Sequence, residues 1–127
     1  MVMIPVSWGE LFDKLTILEI KKERISDKPK LKNISRELDE LLAVSNAHEL
    51  PDQPLADLLA ELRSINETLW DIEDDIRTCE RMEDFSSSFI ELARSVYKTN
   101  DKRAELKLRI NRLLGSELVE EKSYEAY

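Results

Sequence analysis

The stretch VYKTNDKRAELKLRIN begins at Val96, and Asn100, Arg103 and Lys107 within it fall on a helix face that ought to be apolar. At about 100° per residue, Phe89, Leu92, Val96, Ile110 and Leu114 define that face. The three polar residues lie inside its arc. An unpaired charge aimed into a helical bundle is costly, so such groups must be paired, hydrated or occupied by a ligand. The chemistry open to a guanidinium, an ammonium and nearby amides is recognition of an anion, a phosphate or a carboxylate, by charge-assisted hydrogen bonds.

Two other segments carry polar residues toward the same place. Asn66 and Glu73 sit at the edge of a leucine seam, with Arg77 beside them and Glu80 further along the arc. Glu19 and Lys22 continue the face set by Trp8, Leu11, Phe12, Leu15 and Leu18, with Glu23 on the flank. A tight turn near Phe85 gives a register in which facing positions sum to about 170. Asn66 is then level with Arg103 and Lys107, and Glu73 with Tyr97 and Asn100. The candidate ligand-binding set is therefore Asn66, Glu73, Tyr97, Asn100, Arg103 and Lys107. Two accounts of it stand side by side: an internal network in which Arg103 and Lys107 pair with Glu73, Glu19 and Glu23, and a pocket in which they hold an anionic ligand oriented by Asn66, Asn100 and Tyr97.

An enzymatic alternative uses the carboxylates instead. Glu19, Glu23 and Glu73 on neighbouring helices would hold Mg²⁺, which takes oxygen ligands and works beside substrate phosphates. ELDE and DIEDD supply acidic pairs that resemble those of the all-helical nucleoside triphosphate pyrophosphohydrolases, and that resemblance implies a Mg-dependent nucleotide phosphohydrolase. Asp71, Asp74 and Asp75 fall on the outer side of their helix, however, where a run of charge is ordinarily a solvated face. Other chemistry lacks its parts. His48 is the only histidine, Cys79 the only cysteine, the serines 86 to 88 have no neighbouring base, and no glycine-rich phosphate loop exists. No catalytic residue is assigned.

The elements that must position these residues are helices. Ser7 followed by Glu10 is a capping box, opening a first helix that runs to about Ile25. DKPK breaks the chain before a second helix, whose stripe is Leu31, Ile34, Leu38, Leu41 and Leu42. HELPDQP is a loop. A third helix from about Pro54 to Met82 carries Leu55, Leu58, Leu62, Ile65, Leu69, Ile72, Ile76 and Cys79 at heptad-like spacing. EDFSSS turns the chain, with serine hydroxyls as caps. A fourth helix ends at Leu114, where Gly115 can adopt the left-handed conformation. At about 1.5 Å per residue the third and fourth helices are each roughly 40 Å long and form an antiparallel hairpin. The expected fold is all-α: a four-helix bundle in one domain spanning 1–127, with 115–127 a tail that either docks through Tyr124 and Tyr127 or stays mobile.

Composition sets the outer limits. The 127 residues are 42% hydrophobic and 36% charged, with 2 Gly and 4 Pro, which fits one helical domain. A net charge of −8 argues against broad nucleic-acid or anionic-membrane binding. No stretch reaches the roughly 18 apolar residues of a membrane span. The opening MVMIPV lacks the basic residues and apolar run of a signal peptide. The expected setting is the cytoplasm, without processing. Ile17 and Ile20 on the first helix, and Ile90 with Leu108 on the fourth, lie away from the main apolar faces. They are either scattered exposure or a homodimer or partner surface that MVMIPV could cover.

At ELFDKLTILEIKKERI, LWDIEDDIR, VYKTNDKRAELKLRIN and EEKSY, over nearly its whole length, the chain resembles a family of short bacterial proteins of uncharacterised function. The resemblance implies a compact helical domain in bacteria or their phages and carries no activity to transfer. The functional expectation therefore rests on the residues. It is a binding or interaction module, leaning away from an enzyme and needing no cofactor, whose polar inter-helix pocket takes a small anionic ligand or an acidic element of a partner.

Overall fold

The computed structural model describes all 127 residues. Four helices follow one another: α1 (Trp8–Arg24), α2 (Lys28–Asn46), α3 (Asp52–Arg81) and α4 (Ser87–Leu114). No helix is long and apolar enough to cross a membrane.

Local chemistry sets most of the boundaries. Ser7 accepts the Glu10 amide at 3.2 Å and caps α1. The other half of the expected capping box is not made, because the Glu10 carboxylate reaches Lys107 instead. DKPK begins a helix rather than only breaking one. Asp27 accepts the Lys30 amide at 3.1 Å, and Pro29 sits in the first turn of α2, where a missing N–H costs nothing. The serines do not cap α4 through their hydroxyls; Asp84 accepts the Ser86 amide at 3.0 Å. Gly115 ends α4 at φ 61, and the Ser116 amide turns back to the Asn111 carbonyl at 2.9 Å, as the left-handed C-terminal motif requires.

α3 and α4 form the long antiparallel hairpin. A 3.6 Å ion pair between Glu61 and Arg109 agrees with the expected register. α1 is the one helix packed against all three others, running antiparallel to α4. The core joins Leu11, Phe12, Leu15 and Leu18 of α1 to Ile34 and Leu38 of α2, Leu55, Leu58 and Leu62 of α3, and Leu106 and Ile110 of α4.

Its central place gives α1 a second buried face. Ile20, expected on an outer surface, is 1% exposed, and Ile17 and Leu108 are half-buried; of that group only Ile90 is exposed. Residues 1–6 are exposed. The tail lies along α4, where Tyr127 packs edge-on against Tyr97 at 5.3 Å between ring centroids and donates to Asp101.

Candidate functional site

The second face of α1 is a stripe at helical spacing: Gly9, Asp13, Thr16 and Ile20, all buried. Small and polar residues there let α4 approach closely. Asp13, 1% exposed, is the hub of a buried polar network. Its Oδ1 accepts Arg103 Nε at 2.9 Å and Asn66 Nδ2 at 3.0 Å. Its Oδ2 accepts Arg103 Nη2 and lies 3.9 Å from Lys107 Nζ. The second Asn66 proton goes to Thr16 Oγ1 at 2.9 Å, and Thr16 donates to the Asp13 carbonyl at 2.8 Å. Every buried side-chain nitrogen and oxygen has a partner.

Lys107 is held from both sides, by Glu10 of α1 at 2.8 Å and by Glu120 of the tail at 3.0 Å. Burial is the strongest single influence on its ammonium and favours the neutral form, but Glu10, Glu120 and Asp13 together outweigh it and raise the pKa. Arg103 is raised as well, first by its hydrogen bonds to Asp13. Glu120 moves the other way. Lys122, 2.9 Å away, and then Lys107 pull its carboxyl from an ordinary 4.5 down to about 2.

The sequence points to the right cations and the wrong anions. Arg103 and Lys107 pair with Asp13, Glu10 and Glu120, not with Glu73, Glu19 and Glu23. Those three belong elsewhere. Arg63 takes Glu19 at 3.2 Å, Glu23, and Glu67 at 2.9 Å, while Glu73 is exposed and pairs with Arg77 one turn along α3. The carboxylates put forward for Mg²⁺ are thus neutralised by arginines in separate places, and no group of three or more His, Cys, Asp or Glu side chains is gathered where it could hold a metal ion. Asp71 binds Arg24 at 2.6 Å. His48 is an exposed residue set edge-on to Trp8, and Cys79 is half-buried.

Between α4 and the tail lies a cleft of about 1360 Å³. Four of the six expected ligand-binding residues line it: Tyr97, Asn100, Arg103 and Lys107. Glu10 closes one side, and Glu120, Lys122 and Tyr124 come from the tail. Asn66 stands behind the cleft as a support for Asp13, and Glu73 is outside it.

Over residues 2–127 the sequence matches the family of unknown function DUF6165. The chain belongs to that family. No curated protein and no solved structure matches it. In this DUF6165 chain the tail is the contact least visible in sequence, for it has no periodicity. Residues 117–127 make no backbone–backbone hydrogen bonds; apart from the Ser116 hydroxyl on the Leu118 carbonyl at 2.7 Å, they are held through their side chains, chiefly Glu120 on Lys107 and Tyr127 on Asp101.

That attachment gives the DUF6165 tail a pH window. A carboxyl whose pKa is lowered by folding contributes fully above its ordinary value and loses the contribution as pH falls through the lowered one. The Glu120 contact should therefore weaken from about pH 4.5 and be lost near pH 2. Tyr127, raised by its bond to Asp101, should release at the alkaline end as pH climbs through its raised value. Amide resonances of residues 117–127 followed by NMR should move in the acid window ahead of those of Leu62 and Ile110.

Proposed function

We propose that this DUF6165 chain is a non-enzymatic binding module whose cleft beside α4 takes an anionic group, a phosphate or a carboxylate, from a small ligand or from an acidic element of a partner. The observation that carries this reading is the Glu120 carboxylate seated on Lys107 at 3.0 Å, at the edge of a cleft also lined by Arg103, Asn100 and Tyr97. Lys107 accommodates a carboxylate from a segment that no backbone–backbone hydrogen bond ties down. An external anion would take that place and displace the tail.

The supporting shell is what a recognition site needs. Asp13 fixes the Arg103 guanidinium through Nε and Nη2, so its remaining N–H groups are pre-oriented rather than recruited on binding. Glu120 acts as a tethered competitor, and a tether raises its effective concentration at Lys107 to the order of millimolar. Removing its charge should therefore uncover the site.

Thermal denaturation with added inorganic phosphate tests this. Wild-type protein should gain a modest rise in Tm. Glu120→Gln should show a larger rise at the same phosphate concentration, and Lys107→Met should show none while remaining folded. Equal responses in all three proteins, or no response in Glu120→Gln, would defeat the proposal.

A further inference from the structure

Residues 117–127 lie on α4 in the way a bound peptide would. Two side chains seven positions apart hold them. Glu120 sits on Lys107 at 3.0 Å, and Tyr127 packs edge-on against Tyr97 while its hydroxyl donates to Asp101. The later tail residue meets the earlier helix residues, so the segment runs antiparallel to α4.

The fit is loose. On α4 the two anchor points are six to ten residues apart, roughly 9–15 Å along the axis at 1.5 Å per residue. Seven residues of extended chain reach about 23 Å. The tail has length to spare, and the cleft remains open between it and the helix. Its hold is also shallow: Tyr124 and Tyr127 are each 78% exposed, and Tyr97, against which Tyr127 packs, is still 44% exposed.

Charge alone does not make a tight ligand here. With the tail lifted away, Arg103 and Lys107 still face Asp13 and Glu10 of α1, so the two pairs balance and an incoming anion shares the Lys107 ammonium with Glu10. One ionic contact in that setting accounts for no more than the modest response expected of phosphate. Tight binding needs a second contact, and the cleft supplies one at its other end. There Val96, Tyr97 and Ala104 present ring and apolar surface, and Asp101 accepts a phenolic proton. An edge-on ring pair with a satisfied hydroxyl is a specific contact for a tyrosine. A phosphate or a small carboxylate reaches one end only, whereas a chain segment spans both.

We propose that the cleft is a docking groove for an extended segment of a partner protein, one that brings a carboxylate side chain to Lys107 and a tyrosine to Tyr97 and Asp101, and that residues 117–127 are an internal mimic which this segment displaces. The inference rests on the anion-binding reading above and narrows its ligand to a peptide with two anchors.

Fluorescence anisotropy with a labelled peptide of residues 117–127 tests it, using the full chain with Glu120→Gln and Tyr127→Ala to loosen its own tail. The peptide should bind this variant about tenfold more tightly than wild type, whose tethered tail competes at an effective concentration on the order of millimolar. Replacing Glu120 or Tyr127 within the peptide should weaken binding about tenfold each, as the loss of an anchor does. Adding Tyr97→Ala, a change to an exposed side chain, should abolish capture of the peptide and leave the phosphate-induced rise in Tm intact. Phosphate stabilisation without peptide binding, or peptide binding indifferent to both anchors, overturns the partner segment and leaves the anion site standing. No phosphate stabilisation in Glu120→Gln removes the anion site and this inference with it. A wild-type dimer that the two tail substitutions dissolve would assign the groove to the tail of a second copy, and overturns the partner segment as well.

Discussion

Asp13→Ala should destabilise the protein by about 3–5 kcal/mol, the cost of breaking a buried ion pair from one side. The Asp13 side chain is 2% exposed, and three groups lose their acceptor together. Arg103 loses both of its bonds, Asn66 loses one, and Lys107 loses a carboxylate 3.9 Å away. Two cations then face one another across a site closed to water on the α1 side. The Asp13→Leu, Arg103→Met double variant provides the contrast. With both charges gone and hydrocarbon in their place, the penalty of an orphaned ion disappears, leaving one unmet Asn66 proton at about 1–3 kcal/mol. The double variant should thus be more stable than Asp13→Ala, although it has lost more native contacts. Urea unfolding at neutral pH reads both. If the double variant loses as much as the sum of its parts, the residues do not act as a unit. Arg103→Met alone strands Asp13 and should be unstable for the same reason, which is why Lys107→Met is the cleaner probe of anion binding.

The polar centre is half legible in the sequence, and the missing half has physical causes. Arg103, Lys107 and Asn66 stand out because they interrupt an apolar face, a signal carried entirely by local periodicity. Asp13 stays hidden as long as α1 is given one face. A helix packed on three neighbours has a second face, and Gly9, Asp13, Thr16 and Ile20 trace it at spacings of four, three and four. Glu73 points inward on a helical wheel because a wheel has no end. The real seam loses its cover where α1 stops beside Asp71, so a residue two positions further on stays in water. Glu19 and Glu23 do meet a cation, but a single sequence does not distinguish Arg63 from Arg103 as that cation. Glu120 lies in a segment with no pattern at all, and its contact with Lys107 is purely tertiary. The helices and their ends are more legible, since caps such as Ser7 and Gly115 and the leucine seam of α3 depend on neighbours in sequence.

Gly9→Ala should cost about 2 kcal/mol or more, against what helix propensity alone dictates. In an isolated helix the change would be favourable by about 1 kcal/mol. Here a Cβ on Gly9 would stand 2.5 Å from the Lys107 carbonyl oxygen, 3.0 Å from its carbonyl carbon and 2.9 Å from Asn111 Oδ1. The first two are backbone atoms in the middle of α4 and cannot rotate aside, so the helices must part. Overpacking of this kind costs about 1–3 kcal/mol. Parting also stretches the 2.6 Å bond from the Gly9 amide to Asn111, worth about 1 kcal/mol net. It lengthens the neighbouring Glu10–Lys107 and Asp13–Arg103 contacts too, so Gly9→Ala should blunt the response to phosphate along with the stability. Gly115→Ala separates backbone conformation from crowding, because nothing lies within 4 Å of a Cβ there and only the left-handed backbone at φ 61 opposes it. That variant should lose about 1–2 kcal/mol and respond to phosphate as the wild type does. The two glycines are thus expected to differ in kind: one holds a chain end, while the other lets α1 approach α4 closely enough for Asp13 and Glu10 to reach their cations. Should Gly9→Ala instead raise the urea midpoint, the close approach of α1 to α4 is wrong, and the geometry of the anion site falls with it.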